Sequence, residues 1–257
     1  MRSKQFELFC AVSLQLFHSF FVQADYCSRI VDGPQMTFDL SHSMMNQVIR
    51  SGSRAVFECI ILSTPQARIS WYHNGMLIRN EDGAEIEYFN WESKGDLIGM
   101  GTVQSRMVIP CADERAAGKY ACRADSPCGQ TISTSARLDI VSKPGAICHR
   151  FRALAPTITT MTTSRIELDR NIVQLMCRAI GAPSPVISWS LEDDEIEGKF
   201  VPVNESRTII QLANGDLLVS APDNTVASQV FRCIAHNQHG DDHMDASVVY
   251  LKEERKK

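Results

Sequence analysis

The sequence predicts an all-β chain built as two sandwiches in tandem, on three observations. A cysteine–tryptophan–cysteine pattern occurs twice, as Cys59, Trp71 and Cys122 and again as Cys177, Trp189 and Cys233, and in both copies the tryptophan stands twelve residues after the first cysteine. Residues around each cysteine alternate apolar and polar with the period of a half-buried strand. Turn-forming pairs, Asn74-Gly75 and Asn214-Gly215, separate the apolar runs. The 257 residues suffice for two units of about 100 residues each plus short extensions.

From the N-terminus, Arg2 and Lys4 precede a mostly apolar run from Leu8 to Val22, and Val22-Gln23-Ala24 closes it with small residues. This reads as a secretion signal over residues 1–24, with the mature chain starting at Asp25. An uncleaved anchor is the alternative, but the run is shorter than the ~20 residues a spanning helix needs. No second apolar run follows, and the C-terminal Lys252 to Lys257 is charged throughout, so the expectation is a secreted, extracellular protein without a membrane span.

The first unit is expected over residues 30–141. Ala55, Phe57 and Cys59 point to one side of a strand while Arg54 and Glu58 point to the other, and Ile69 and Trp71 face inward on the next strand. A cysteine pair bridging two facing sheets, with a tryptophan packed on the bridge, is the core of the immunoglobulin sandwich. Met107 and Ile109 fit its strand E. Tyr120 stands two residues before Cys122, where this fold places a tyrosine that bonds back to the E–F corner. A linker is expected over residues 142–155, marked by Pro144-Gly145 and holding Cys148. The second unit, expected over residues 156–251, repeats the pattern with Val173, Leu175 and Cys177, then Ile187 and Trp189, then Leu217 and Val219; Phe231 replaces the corner tyrosine.

Nine cysteines are present, and Cys10 falls in the signal. The remaining eight, in a secreted chain, read as four disulfides, and the absence of any Cys-x-x-Cys pair argues against zinc. Cys59–Cys122 and Cys177–Cys233 are the core pairs. Cys27, Cys111, Cys128 and Cys148 allow three connectivities. In this topology Cys27 and Cys128 lie at the entry end of the first sandwich, and Cys111 and Cys148 at the exit end. The ends are about 25 Å apart, and a disulfide spans at most about 7 Å between Cα atoms. Cys27–Cys128 with Cys111–Cys148 is therefore expected.

Net charge is −4, which offers no basic footprint for nucleic acid. No phosphate-binding loop, nucleophile elbow or zinc-protease motif occurs, so neither catalysis nor a cofactor is expected. His236, His239, His243, Asp241 and Asp242 gather on the predicted F–G hairpin; such residues can hold a metal, but polar residues gather in solvated turns for hydrogen-bonding reasons alone, and no metal is assigned. Asn204-Glu205-Ser206 is an N-glycosylation acceptor. Tyr88, Phe89 and Trp91 form the densest aromatic group and are candidates for contact with a partner, or else alternate into the sheet.

The segments Leu212-Ala213-Asn214-Gly215-Asp216-Leu217-Leu218-Val219 and Cys233-Ile234-Ala235-His236-Asn237 resemble the intermediate-set (C2-type) immunoglobulin domains of cell-adhesion proteins. Two such domains behind a signal resemble the secreted two-immunoglobulin-domain (zwei-Ig) proteins of nematodes. The second domain is also similar to an insect ecdysone-inducible two-domain protein that binds insulin-like peptides. The chain departs from the domain pattern at Ala116 and Ala227, where an aspartate is usual, and at Gln229, where a glycine is usual. The first resemblance implies a role in neuronal cell adhesion and in keeping axons in position, through contacts with cell-surface or extracellular proteins, among them other immunoglobulin-type adhesion proteins. The second implies a soluble binder that lowers signalling by an insulin-like peptide.

Overall fold

The computed structural model describes residues 25–39, 41, 44–81, 95–141, 148, 153–193, 195–221 and 228–252. The expected signal segment, most of the expected linker, and Tyr88, Phe89 and Trp91 lie outside them. The described chain is mostly strand, joined by turns and loops. The first sandwich contains β1 (Gln35–Phe38), β2 (Gln47–Arg50), β3 (Ala55–Thr64), β4 (Arg68–His73), β5 (Met76–Glu81), β6 (Met100–Ile109), β7 (Gly118–Asp125) and β8 (Thr131–Val141). The second contains β9 (Leu154–Leu168), β10 (Ile172–Leu175), β11 (Cys177–Ala182), β12 (Val186–Glu192), β13 (Phe200–Pro202), β14 (Ile209–Gln211), β15 (Leu217–Ser220), β16 (Ser228–Asn237) and β17 (Gly240–Leu251). Strand β9 begins at Leu154, inside the segment read as linker.

In the first sandwich β1-β3-β6 faces β2-β8-β7-β4-β5. The alternation of β3 buries Ala55, Phe57, Cys59 and Ile61 against Ile69, Trp71, Tyr120 and Cys122 from the facing sheet. Asn74 and Gly75 turn β4 into β5 with φ of 51° and 81°, the left-handed pair that matches the twist of a hairpin. Tyr120 stacks on Phe57 at 4.9 Å and donates its hydroxyl to the Ala116 carbonyl at 2.8 Å, which closes the E–F corner. In the second sandwich β10-β15-β14 lies across the core from β12, β16 and β17, and Val173, Leu175, Cys177, Trp189, Leu217, Val219, Phe231 and Cys233 fill the space between. The Trp189 indole donates to the Gly215 carbonyl at 2.8 Å.

Among the described residues four disulfides are present: Cys59–Cys122 and Cys177–Cys233 cross the cores, Cys27–Cys128 ties the N-terminal arm to the β7–β8 turn, and Cys111–Cys148 fastens the chain leaving the first sandwich to the end of β6. Such a set belongs to an oxidising compartment. No described helix is long and apolar enough to cross a membrane.

The sandwiches share a sheet. Strand β9 pairs antiparallel with β6 from Ser105↔Thr160 to Met100↔Ile166, and parallel with β17 from Ser164↔Ser247 to Leu168↔Leu251. One nine-stranded sheet results, ordered β1-β3-β6-β9-β17-β16-β12-β13, with β11 joined to the first half of β9. The edge of the first sandwich is thereby covered by the first strand of the second.

Tyr250 lies in the second core and donates to the Val219 carbonyl at 2.9 Å. Burial pushes its phenol well above the ordinary value, with nearby Glu167 pushing the same way and Arg165 opposing. An acid kept neutral by folding leaves stability intact below the unfolded value of about 10 and erodes it as pH rises past that value, because the unfolded chain ionises first. Tyr250→Phe is expected to cost about 1 kcal/mol at pH 7 through the lost hydrogen bond and to lose less stability than the parent between pH 9 and about 11. Thermal melts across that range check both.

Candidate protein-binding surface

The junction is built from buried polar groups. Gly101, Arg165 and Val248 stand in register across β6, β9 and β17, so their side chains share one face. That face carries the cores of both sandwiches: Gly101 is buried in the first, and Val248 belongs to the second. Gly101 lets Arg165 lie flat, because a Cβ there would come within 2.7 Å of the Arg165 Cδ. The Arg165 guanidinium donates to the Gln66 side-chain oxygen at 2.7 Å, and the Gln66 amide donates to the Thr162 hydroxyl at 3.0 Å. Trp71, the core tryptophan of the first sandwich, donates to Ser105 Oγ at 2.9 Å, and that hydroxyl meets Thr160 Oγ1 of the second at 2.9 Å. Met176 extends from the second sandwich into the core cluster of the first.

Glu167 closes the junction from the other end. It is fully buried, and its carboxylate accepts from the backbone N–H groups of Ile98, Gly99 and Leu168, each at 2.9 Å, and from Asn171 Nδ2 at 3.1 Å. The 95–99 loop it holds is also bound by the N-terminal arm: Val31 donates to the Leu97 carbonyl and Leu97 to the Arg29 carbonyl, both at 3.0 Å. Tyr26, Ile30 and Leu97 form a small core beside Cys27–Cys128. Arm, loop and β9 are thus packed as one unit.

The opposite face of the shared sheet runs across both sandwiches. Its central rows are Thr102, Ser164 and Ser247, then Met100, Ile166 and Val249, all half-buried. Ser164 donates to Thr102 Oγ1 at 2.9 Å across the junction. An ion pair flanks the rows on each side, Glu58 with Arg106 at 2.9 Å and Asp245 with Arg232 at 2.7 Å; the Arg232 guanidinium also lies 3.7 Å above the Phe200 ring. Small hydroxyls and aliphatics in the centre, with paired charges at the margins, make one continuous surface across both sandwiches.

Of the residues singled out in the sequence, Trp71 and Trp189 are buried in the two cores, on the side of the shared sheet away from this surface. Asn204 is exposed, just beyond β13 at the margin of the shared sheet. The histidine cluster lies on the β16–β17 hairpin, where Gln238 and His239 form the turn. His236 bonds Asp241, and Asp242 accepts from the Ile158 backbone N–H at 2.7 Å, so these carboxylates hold the hairpin and dock it on β9. Among the described residues no three His, Cys, Asp or Glu are grouped to hold a metal. Gln66, Ser105, Thr160, Thr162, Arg165 and Glu167 were not singled out. For Thr160 and Thr162 the sequence signal is the run Thr157 to Ser164, rich in β-branched and hydroxyl residues; the other four carry none.

The immunoglobulin I-set domain model matches residues 38–140. Zwei Ig domain protein zig-4 of Caenorhabditis elegans is 31% identical over 197 residues, covering 76% of this chain and 72% of that protein. The chain belongs to the zwei Ig family. A second relative, Zwei Ig domain protein zig-3 of the same nematode, is 28% identical over 217 residues, covering 83% of this chain and 82% of that one. Among solved structures, neural ectodermal development factor IMP-L2 superposes with a TM-score of 0.64 at 22% identity, covering 86% of this chain and 97% of that one, and so shares the arrangement of its sandwiches. This zwei Ig chain is an immunoglobulin-domain protein of the extracellular type, with two sandwiches joined edge to edge.

Proposed function

We propose that this zwei Ig chain is a secreted binding protein that acts in neuronal cell adhesion and the maintenance of axon position, through contacts made by the outer face of the shared sheet. The observation that carries the reading is the continuity of that face across both sandwiches. Eight strands at about 4.8 Å spacing make it roughly 35 Å wide, and strands of six or so residues make it about 20 Å tall. That area is of the order of the ~800 Å² each partner contributes to a standard protein interface, and far larger and flatter than a small-molecule site. A locked junction also reduces the ordering cost of binding. The partners of this reading are cell-surface or extracellular proteins, including other immunoglobulin-type adhesion proteins.

A second reading is a soluble decoy for an insulin-like peptide, in line with the resemblance of the second domain. A single face spanning both sandwiches favours it as well, since a small globular hormone fits within such an area.

The test is a binding screen of the purified mature protein on neuronal surfaces and on insulin-like peptides, run beside a Ser247→Arg variant and a Ser135→Arg control. Ser247 is central on the shared face, and Ser135 is exposed on the far sheet of the first sandwich. Binding to neuronal surfaces that falls at least tenfold in Ser247→Arg and not in Ser135→Arg is the expected result. Binding to insulin-like peptides with the same sensitivity would favour the decoy. Loss of binding only in Ser135→Arg would move the contact to the other sheet and overturn the reading.

A further inference from the structure

We infer that Asn204 carries an N-linked glycan whose place in the fold is to shield a protease-sensitive connection in the second sandwich. The acceptor Asn204-Glu205-Ser206 follows β13, and Val203 still donates to the Trp189 carbonyl of β12 at 3.0 Å, so the sequon begins where the ladder ends. From Asn204 to Arg207 four consecutive residues are exposed. The backbone then turns back into β14, with the Ser206 hydroxyl accepting from the Thr208 and Ile209 N–H groups at 3.2 and 3.1 Å. An exposed, irregular run carrying a basic residue is where a trypsin-like protease nicks a domain. Arg207 supplies the basic residue three positions from the glycan acceptor.

The chemistry is the standard one for a secreted chain. The co-reactant is a lipid-diphosphate-linked oligosaccharide. Asn204 Nδ2 forms a bond to C1 of its first sugar, the C1–O bond to the diphosphate breaks with its electron pair leaving on the lipid diphosphate, and one amide proton passes to a base of the transferase. The sugar attached to Asn204 overhangs the 204–207 run and obstructs the extended pose that cleavage after Arg207 requires. Cys177 and Cys233 lie on either side of Arg207 and remain bonded, so a nicked protein stays in one piece until it is reduced.

The experiment uses the full chain expressed through a eukaryotic secretory pathway. Intact mass and peptide mapping read occupancy, which is expected on Asn204 and lost in both Asn204→Gln and Ser206→Ala. Limited trypsinolysis, resolved by reducing gel, is then compared for the glycoprotein and for the same folded protein after treatment with a peptide-N-glycosidase. Cleavage after Arg207 is expected to speed up at least tenfold when the sugar is removed. Cleavage after Arg115, whose side chain is 89% exposed in the first sandwich, is expected not to change. A sugar-free Asn204, or equal rates after Arg207 with and without sugar, would overturn the inference. Enzymatic removal acts on protein that has already folded, so the comparison stands even if a variant fails to fold.

Discussion

Replacing Glu167 by alanine is expected to destabilise the protein by about 3–5 kcal/mol, among the largest effects of any single substitution outside the disulfides. Its carboxylate is fully buried and receives four donors, two of them backbone groups of the 95–99 loop in the first sandwich. Alanine takes the side-chain acceptor from the three backbone donors, leaves Asn171 Nδ2 only the Asp96 carbonyl, and opens a polar void where water must enter. Glu167→Gln is expected to cost less, since it keeps one acceptor oxygen, but its amide group meets a backbone donor and cannot satisfy the whole set. Urea unfolding with separate probes for the two sandwiches is the measurement. The expected result for Glu167→Ala is an earlier transition for the first sandwich as well as the second. An unchanged midpoint would show that the 95–99 loop is held by the N-terminal arm alone.

Asp216→Ala is the second large effect, also expected at about 3–5 kcal/mol, because it leaves a partly buried guanidinium beside an empty acceptor site. Asp216 is 1% exposed and accepts from Gln174 Nε2 at 2.8 Å, Asn214 Nδ2 at 2.9 Å, Arg178 Nη2 at 3.0 Å and the Cys177 backbone N–H at 3.4 Å, with Arg178 Nη1 also bonded to it. It joins the turn before β15 to the segment that carries the core cysteine. Removing both charges together, as Asp216→Ala with Arg178→Met, is expected to recover part of the loss, since a buried pair costs more to break than to delete. A double variant as unstable as the single one would place the loss in the Gln174, Asn214 and Cys177 bonds instead.

The fold class was legible because its signal is local. A cysteine, a tryptophan twelve residues on and alternating neighbours state which residues meet in a core, and the strand pattern around Cys59 and Cys177 repeats closely enough to count two copies. Asn74-Gly75 announced its hairpin through the left-handed backbone it requires. The shared sheet was not legible. The bonds between β6 and β9 are made by main-chain groups, which every residue carries, so no residue type betrays them. The side chains that do mark the junction carry no motif. Arg165 and Glu167 are charged residue types, yet both are almost wholly buried. Thr160 and Thr162 are common strand residues, and only the fold shows that their hydroxyls complete networks that start at Trp71 and Gln66. Pairing between elements about sixty residues apart is a long-range property, and the fifteen-residue length that gives β9 two partners shows only in the folded chain.

Strands β6 and β9 join the two sandwiches into one sheet, and amide hydrogen exchange on the native protein reads that pairing residue by residue. With β9 in place, β6 is an interior strand and its amides are bonded to β3 on one side and β9 on the other. The prediction is slow exchange at successive residues from Met100 to Ser105 and from Thr160 to Ile166, with protection close to that around Cys59 and Cys233. Sandwiches that meet only through a linker would leave β6 as an edge strand. In that case every second amide of β6 would exchange at loop-like rates while both cores stayed protected, and that pattern would contradict the shared sheet.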